Sequence, residues 1–126
     1  MKARETALRL KRFEADEKNR KVQELEQMIR EFEQMAHDLE RQVKAEEERT
    51  GLRDQQHFAY STFARSAEQR RQNLLASVSE LQDKLQFAVA ERDDVLAELD
   101  EVDALRDRGD QRSRPEDGRP TTAIAN

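Results

Sequence analysis

Two long heptad-patterned stretches, interrupted once, dominate this chain. Apolar residues recur at alternating steps of three and four through Val22, Leu25, Ile29, Phe32, Ala36, Leu39 and Val43. They recur again through Leu74, Val78, Leu81, Leu85, Ala88, Val95, Leu99 and Val102, with Arg92 filling one step. On an α-helix this spacing gathers the side chains into one seam. The interruption is Thr50-Gly51-Leu52-Arg53-Asp54, followed by the aromatic group Phe58, Tyr60 and Phe63. Two helices of similar length on either side of a short break are expected to fold back on each other. The fold class is therefore all-α: a long antiparallel two-helix coiled-coil hairpin. The expected boundaries are a hairpin over about 1–106, with helices about 3–49 and 59–106 and a loop about 50–58. A disordered C-terminal tail is expected over 107–126.

The composition fits one buried stripe per helix and little else. Hydrophobic residues make up 35% and charged residues 40%, too few apolar groups for an ordinary globular core. No Gly or Pro falls inside either heptad stretch, where each would cost about 1 or 3 kcal/mol. Gly51 stands where a helix C-terminus favours a left-handed residue. The second helix has two candidate starts, with Asp54 as N-cap or at Ser61/Thr62. Carried backward, the first seam includes Leu8 and Ala15, with Lys11 and Lys18 as poor members. The second includes Arg71, Ala67, Ala64 and Tyr60. Both seams weaken away from their middles.

Charge is segregated into blocks. Residues 1–21 carry 8 basic and 4 acidic groups, 22–48 carry 3 and 9, 49–71 carry 5 and 2, and 72–105 carry 2 and 9. Folding about residues 54–55 sets residue i beside roughly 109 − i. The basic first block then meets acids such as Asp93, Asp94 and Glu98, and Glu46–Glu48 approach Arg65, Arg70 and Arg71. A parallel homodimer would oppose like charges, so the pattern favours the hairpin.

Chemistry-bearing constellations are absent from the sequence. There is no Cys, which excludes disulfides and thiolate sites. His37 and His57 have no second ligand at metal spacing. No Gly-rich phosphate loop is present, and the serines lack a neighbouring base. The carboxylates read as a solvated helical face with no cleft to shift them. Neither an enzyme nor a cofactor is expected. No apolar run reaches membrane-span length and no apolar signal region follows Met1, so a cytoplasmic protein is expected.

What remains are surfaces. Leu10 and Phe13 lie off the seam in a segment containing Arg9, Lys11 and Arg12. Either a local phase slip turns them inward, or they form an exposed contact for an acidic or ring-shaped partner. Phe58, Tyr60 and Phe63 either close the loop end of the hairpin or offer an exposed anchor, and the two roles are compatible. Met28 and Met35, with Leu75, Val89 and Leu96, are expected to widen the apolar stripe, as core or as a seat for a third helix. Nucleic acid is disfavoured, because no aromatic platform accompanies the basic residues.

At Ala7-Leu8-Arg9-Leu10-Lys11-Arg12-Phe13, Asp16-Glu17-Lys18, Glu46-Glu47-Glu48-Arg49-Thr50-Gly51 and His57-Phe58-Ala59-Tyr60-Ser61-Thr62-Phe63-Ala64, the chain resembles the alphaproteobacterial branch of the FliJ family of flagellar export proteins. The resemblance covers about residues 1–105 and departs at Ser61, where this branch carries proline. It implies a non-enzymatic stalk of the flagellar type III export apparatus, similar to the rotary ATPase gamma shaft. The implied partners are the export ATPase ring, the cytoplasmic domain of the export gate and export chaperones. The implied location is peripheral, at the inner-membrane base of the flagellum. The alternative reading is a generic helical adaptor or scaffold, dimeric as a four-helix bundle.

Overall fold

A computed structural model of the protein describes residues 2–112. It is all-α: helix α1 spans Lys2–Thr50 and helix α2 spans Thr62–Arg112. Both contribute to each of two compact units, one of Met1–Arg20 with Val89–Asn126 and one of Lys21–Ala88. Within each unit the two helix segments run antiparallel as a pair.

In the Lys21–Ala88 unit the seam is the one expected from the heptads. Val22, Leu25, Ile29, Ala36, Leu39 and Val43 of α1 are buried, as are Tyr60, Ala64, Ala67, Val78, Leu81 and Ala88 on the other side. Phe32, Leu74 and Leu85 are half-buried. The tightest cluster joins Leu39 and Val43 to Tyr60, Ala64 and Ala67. The small residues Ala64 and Ala67 make room there for the Tyr60 ring, so the loop end is closed by an aromatic residue.

In the other unit Leu8, Ala15 and Val95 are buried, Leu99 and Val102 are half-buried, and Lys11, Lys18 and Arg92 take the seam positions between them. Lys11 pairs with Glu98 at 2.6 Å and with Glu14 at 3.1 Å. Lys18 lies 3.7 Å from Glu91, and Arg92 Nη1 donates to Asn19 Oδ1 at 3.3 Å. Such long side chains cover a seam with their aliphatic stems while the charged heads reach water. The first basic block thus lies against the acidic part of α2, as the charge pattern requires.

These pairs fix the register. Lys11 with Glu98 and Lys18 with Glu91 both sum to 109. In the Lys21–Ala88 unit, Glu40 with Arg71 sums to 111 and Glu47 with Tyr60 to 107. The expected value was 109 within a turn.

Three expectations are corrected. Helix α2 begins at Thr62, the Ser61/Thr62 candidate start, rather than near 59. Ser61 Oγ accepts from the Ala64 N–H at 3.1 Å, the N-cap geometry, while residues 54–60 are spent in turns. Helix α2 also continues to Arg112, so residues 107–112, assigned in advance to a disordered tail, are helical. A single Gly109 costs only about 1 kcal/mol, and the first proline is not reached until Pro115. The rest of the expected tail, 113–126, lies outside the described residues. Third, Glu46–Glu48 form no ion pair with Arg65, Arg70 or Arg71 among the described residues, although Glu47 and Arg65 both contact Tyr60. Glu46 is held by Arg49 at 2.8 Å, whereas Arg71 binds Glu68 at 2.9 Å and lies 3.9 Å from Glu40. Partners three residues apart on one helix are already within reach and hold Glu46 and Arg71, while Glu47 accepts from the Tyr60 hydroxyl and Arg65 donates to Gln55 O.

Candidate partner-binding surfaces

The α1 segment of the Met1–Arg20 unit presents the first surface. Leu8 sits in the seam at 3% exposure, while Leu10 and Phe13 are 64% and 63% exposed. At 3.6 residues per turn, Leu10 and Phe13 lie about 200° and 140° around the helix from Leu8. No phase slip occurs, so both side chains face away from the seam. Arg9 and Arg12 beside them are exposed and make no ion pair among the described residues. Lys11 belongs elsewhere. It faces α2, and its hydrogen bonds to Glu98 and then Glu14 raise its pKa. Of the five residues from Arg9 to Phe13, four form an apolar–basic surface and Lys11 sets the register.

The second surface is the connection between the helices, residues 51–61. Helix α1 ends with the Gly51 N–H donating to the Glu47 carbonyl at 2.8 Å, with Gly51 at φ +76°. This is the left-handed cap that glycine adopts without steric cost. The chain then makes two tight turns. Asp54 O accepts from His57 N at 3.1 Å, and His57 O accepts from Tyr60 N at 3.0 Å. Asp54 Oδ1 accepts from Gln56 N at 2.9 Å and His57 Nδ1 from Ala59 N at 3.0 Å, so the imidazole is used as an acceptor in the turn.

These turns divide the three aromatic residues. Tyr60 is only 4% exposed, its hydroxyl donating to Glu47 Oε2 at 2.7 Å. Burial first, and then the Glu47 carboxylate, push its pKa up to about 12. Arg65 lies over the ring, 5.4 Å from its centroid, and its Nη1 donates to Gln55 O at 3.0 Å. Phe58 is 93% exposed and Phe63 56%, and Phe58 stacks on His57 with centroids 4.7 Å apart. Tyr60 therefore closes the seam, and Phe58 and Phe63 are the accessible members of the set.

Ser61 and Glu46 tie the loop to α1. The Ser61 hydroxyl donates to Glu46 Oε2 at 2.6 Å, while Arg49 holds the same carboxylate through Nε and Nη2, each at 2.8 Å. Arg49 first and Ser61 second lower the Glu46 pKa to about 2. A proline at 61 could supply neither the cap nor this bond.

The methionine flank differs from the expectation. Phe32 and Met35 share a shallow groove of about 310 Å³ with Arg70, Asn73, Leu74 and Ser77. Leu75 is two residues from Ser77, about 200° around the helix, and leaves on the opposite flank. Met35 and Leu75 therefore do not join into one widened stripe. The heptads held this information, because Ser77 and Leu75 fall on opposite sides of the seam positions Leu74 and Val78. Phe87, 68% exposed, also escaped notice, though it stands one residue off the seam at Ala88.

A second groove, of about 380 Å³, lies in the other unit between Arg4, Ala7, Val102, Leu105, Arg108 and Gly109. The Arg4 guanidinium occupies the space that a Cβ at 109 would need. Among the described residues no group of three potential metal ligands comes together. None of the described helices is long and apolar enough to cross a membrane. Comparison with protein-family models, curated proteins and solved structures finds no match.

Proposed function

We propose that this chain is a non-enzymatic helical component of a flagellar type III export apparatus, acting as a stalk in the manner of the FliJ family. It connects the export ATPase ring to the cytoplasmic domain of the export gate and assists delivery from export chaperones. It works in the cytoplasm, peripheral to the inner membrane at the flagellar base. The supporting observation is the surface around Leu10 and Phe13. Two large apolar side chains stand exposed on an antiparallel heptad pair, beside Arg9 and Arg12, which have no acidic partner among the described residues. Exposed apolar groups rimmed by charge are characteristic of protein contacts, and the same residues carry the sequence resemblance.

Deleting the gene tests the proposal. The expected result is loss of swimming and of hook and filament subunit secretion; a strain that swims and secretes normally would overturn it. Purified protein is expected to change the oligomerisation or turnover of the cognate ring ATPase, and Leu10→Ser with Phe13→Ser to weaken that effect while leaving helicity intact.

A further inference from the structure

We propose that the flank of the Lys21–Ala88 unit carrying Met28 and Met35 binds the same flank of a second copy of this chain, about a two-fold axis parallel to the helices. The contact uses none of the residues on which the export role rests.

Two stripes meet on this flank. On α1, Glu24, Met28, Glu31, Met35 and Asp38 follow one another at steps of four and three. On α2, Arg70, Ser77 and Lys84 recur every seven residues. The groove that Met35 shares with Arg70 and Ser77 places both stripes on one side of the helix pair. Met28 and Met35 are 41% and 45% exposed, above the half-buried Phe32 and Leu74. Methionine is adaptable in shape and suited to such contacts.

Charge identifies the occupant. The α1 stripe is acidic and the α2 stripe basic, with Glu80 the exception on the α2 side. Glu24, Arg70 and Lys84 are exposed and make no ion pair or hydrogen bond among the described residues. Asp38 is held on its own helix by Arg41 at 2.8 Å and Gln34 at 3.1 Å, and Glu31 by Gln27 at 3.0 Å, so Glu24 on the acidic stripe and Arg70 and Lys84 on the basic one are the charges that a partner is needed to meet. Nucleic acid or an anionic membrane would meet the acidic stripe as well as the basic one. A second copy satisfies both, since in a two-fold contact each patch meets its complement twice.

Symmetry also gives the register. An axis parallel to the helices leaves heights unchanged, so α1 of one copy lies over α2 of the other. Residues at equal height in this unit sum to between 107 and 111, as Tyr60 with Glu47 and Arg71 with Glu40 demonstrate. Glu24 of one copy therefore falls opposite Lys84 of the other, and Asp38 opposite Arg70. Met28 and Met35 fall over the Leu81 and Leu74 levels, where the groove lies. A two-fold perpendicular to the helices would set α1 on α1, acid against acid, and the charges oppose it.

Light scattering and sedimentation equilibrium of the full chain test this. A dimer is expected. Lys84→Glu and Glu24→Lys should each weaken it about tenfold, because every change acts twice in a two-fold contact. The double variant should regain the original affinity. All should keep the parent's helicity, since neither side chain pairs with another among the described residues. Met28→Lys with Met35→Lys should give a monomer. A monomer at every concentration up to about 1 mM, a higher oligomer, a dimer indifferent to Lys84→Glu, or a double variant that is not restored would each overturn the proposal. The readout is mass, so the outcome is independent of motility and secretion.

Discussion

Leu8 and Leu10 are the same residue type, two positions apart on one helix, and the structure assigns them opposite environments. Replacing each with Ala isolates the phase of the seam. Leu8→Ala removes three carbons that are almost fully buried at 3% exposure. At about 0.8 kcal/mol per buried carbon the loss is about 2.4 kcal/mol. This is near the low end for buried Leu→Ala changes, because a two-helix seam open at its flanks encloses little cavity. Leu10 is 64% exposed, so about a third of that transfer term applies. The slightly better helix propensity of Ala reduces it further, to about 0.6 kcal/mol. Hydrogen exchange around residues 6–14 reads the local opening free energy, which global melting averages away. With 1.4 kcal/mol per factor of ten, Leu8→Ala should accelerate exchange about 50-fold and Leu10→Ala about threefold. Equal effects, or a larger effect at Leu10, would mean that α1 is rotated from the phase described. The exposed surface at Leu10 and Phe13 would then not exist.

Two further predictions concern the loop end. Ser61→Ala removes the N-cap of α2 and should cost about 1 kcal/mol in denaturant titrations. The Glu46 pKa, held at about 2 by Arg49 and Ser61, should rise in the variant. Because the folded value lies below the unfolded one, this contribution is present above pH ~4.5 and is lost as pH falls towards 2. The parent should therefore lose more stability than Ser61→Ala over that window, and parallel pH profiles would contradict the Glu46–Ser61 bond. Tyr60 is the sole tyrosine, so phenolate absorbance reports it without interference. It should titrate at about 12 rather than 10, with stability falling as pH rises above 10. A midpoint near 10 in the folded protein would place the ring in solvent and remove it from the seam.

What was legible in the sequence and what was not follows from how each interaction is specified. The seam was legible because burial between two helices selects a periodic property, and Val22 to Val43 repeats it without a break. The register was legible to within a turn because the break at 54–55 sets the fold-back point, and the charge blocks are long enough that a slip of a turn would leave them facing each other. Individual ion pairs were not legible at the loop end. Glu46 has Arg49 three residues away and Ser61 across the turn, and local reach decides the outcome before block charge is felt. The start of α2 depended on which polar side chain caps it. Asp54 and Ser61 have similar intrinsic preference, and only the turns at 54–57 and 57–60 displace the start to Thr62. The candidate surface divided along the same line. Leu10 and Phe13 violate the period, which leaves either exposure or a local phase slip, and the burial of Leu8 and Ala15 on the unshifted seam decides for exposure. Tyr60 and Phe58 are neighbours in composition, yet a turn separates the buried one from the exposed one. Lys11 sits among candidate contact residues but obeys the heptad period, and its bond to Glu98 follows from that position. In a chain of this kind, a residue's distance from the seam is a better guide to its availability for a partner than its chemical type.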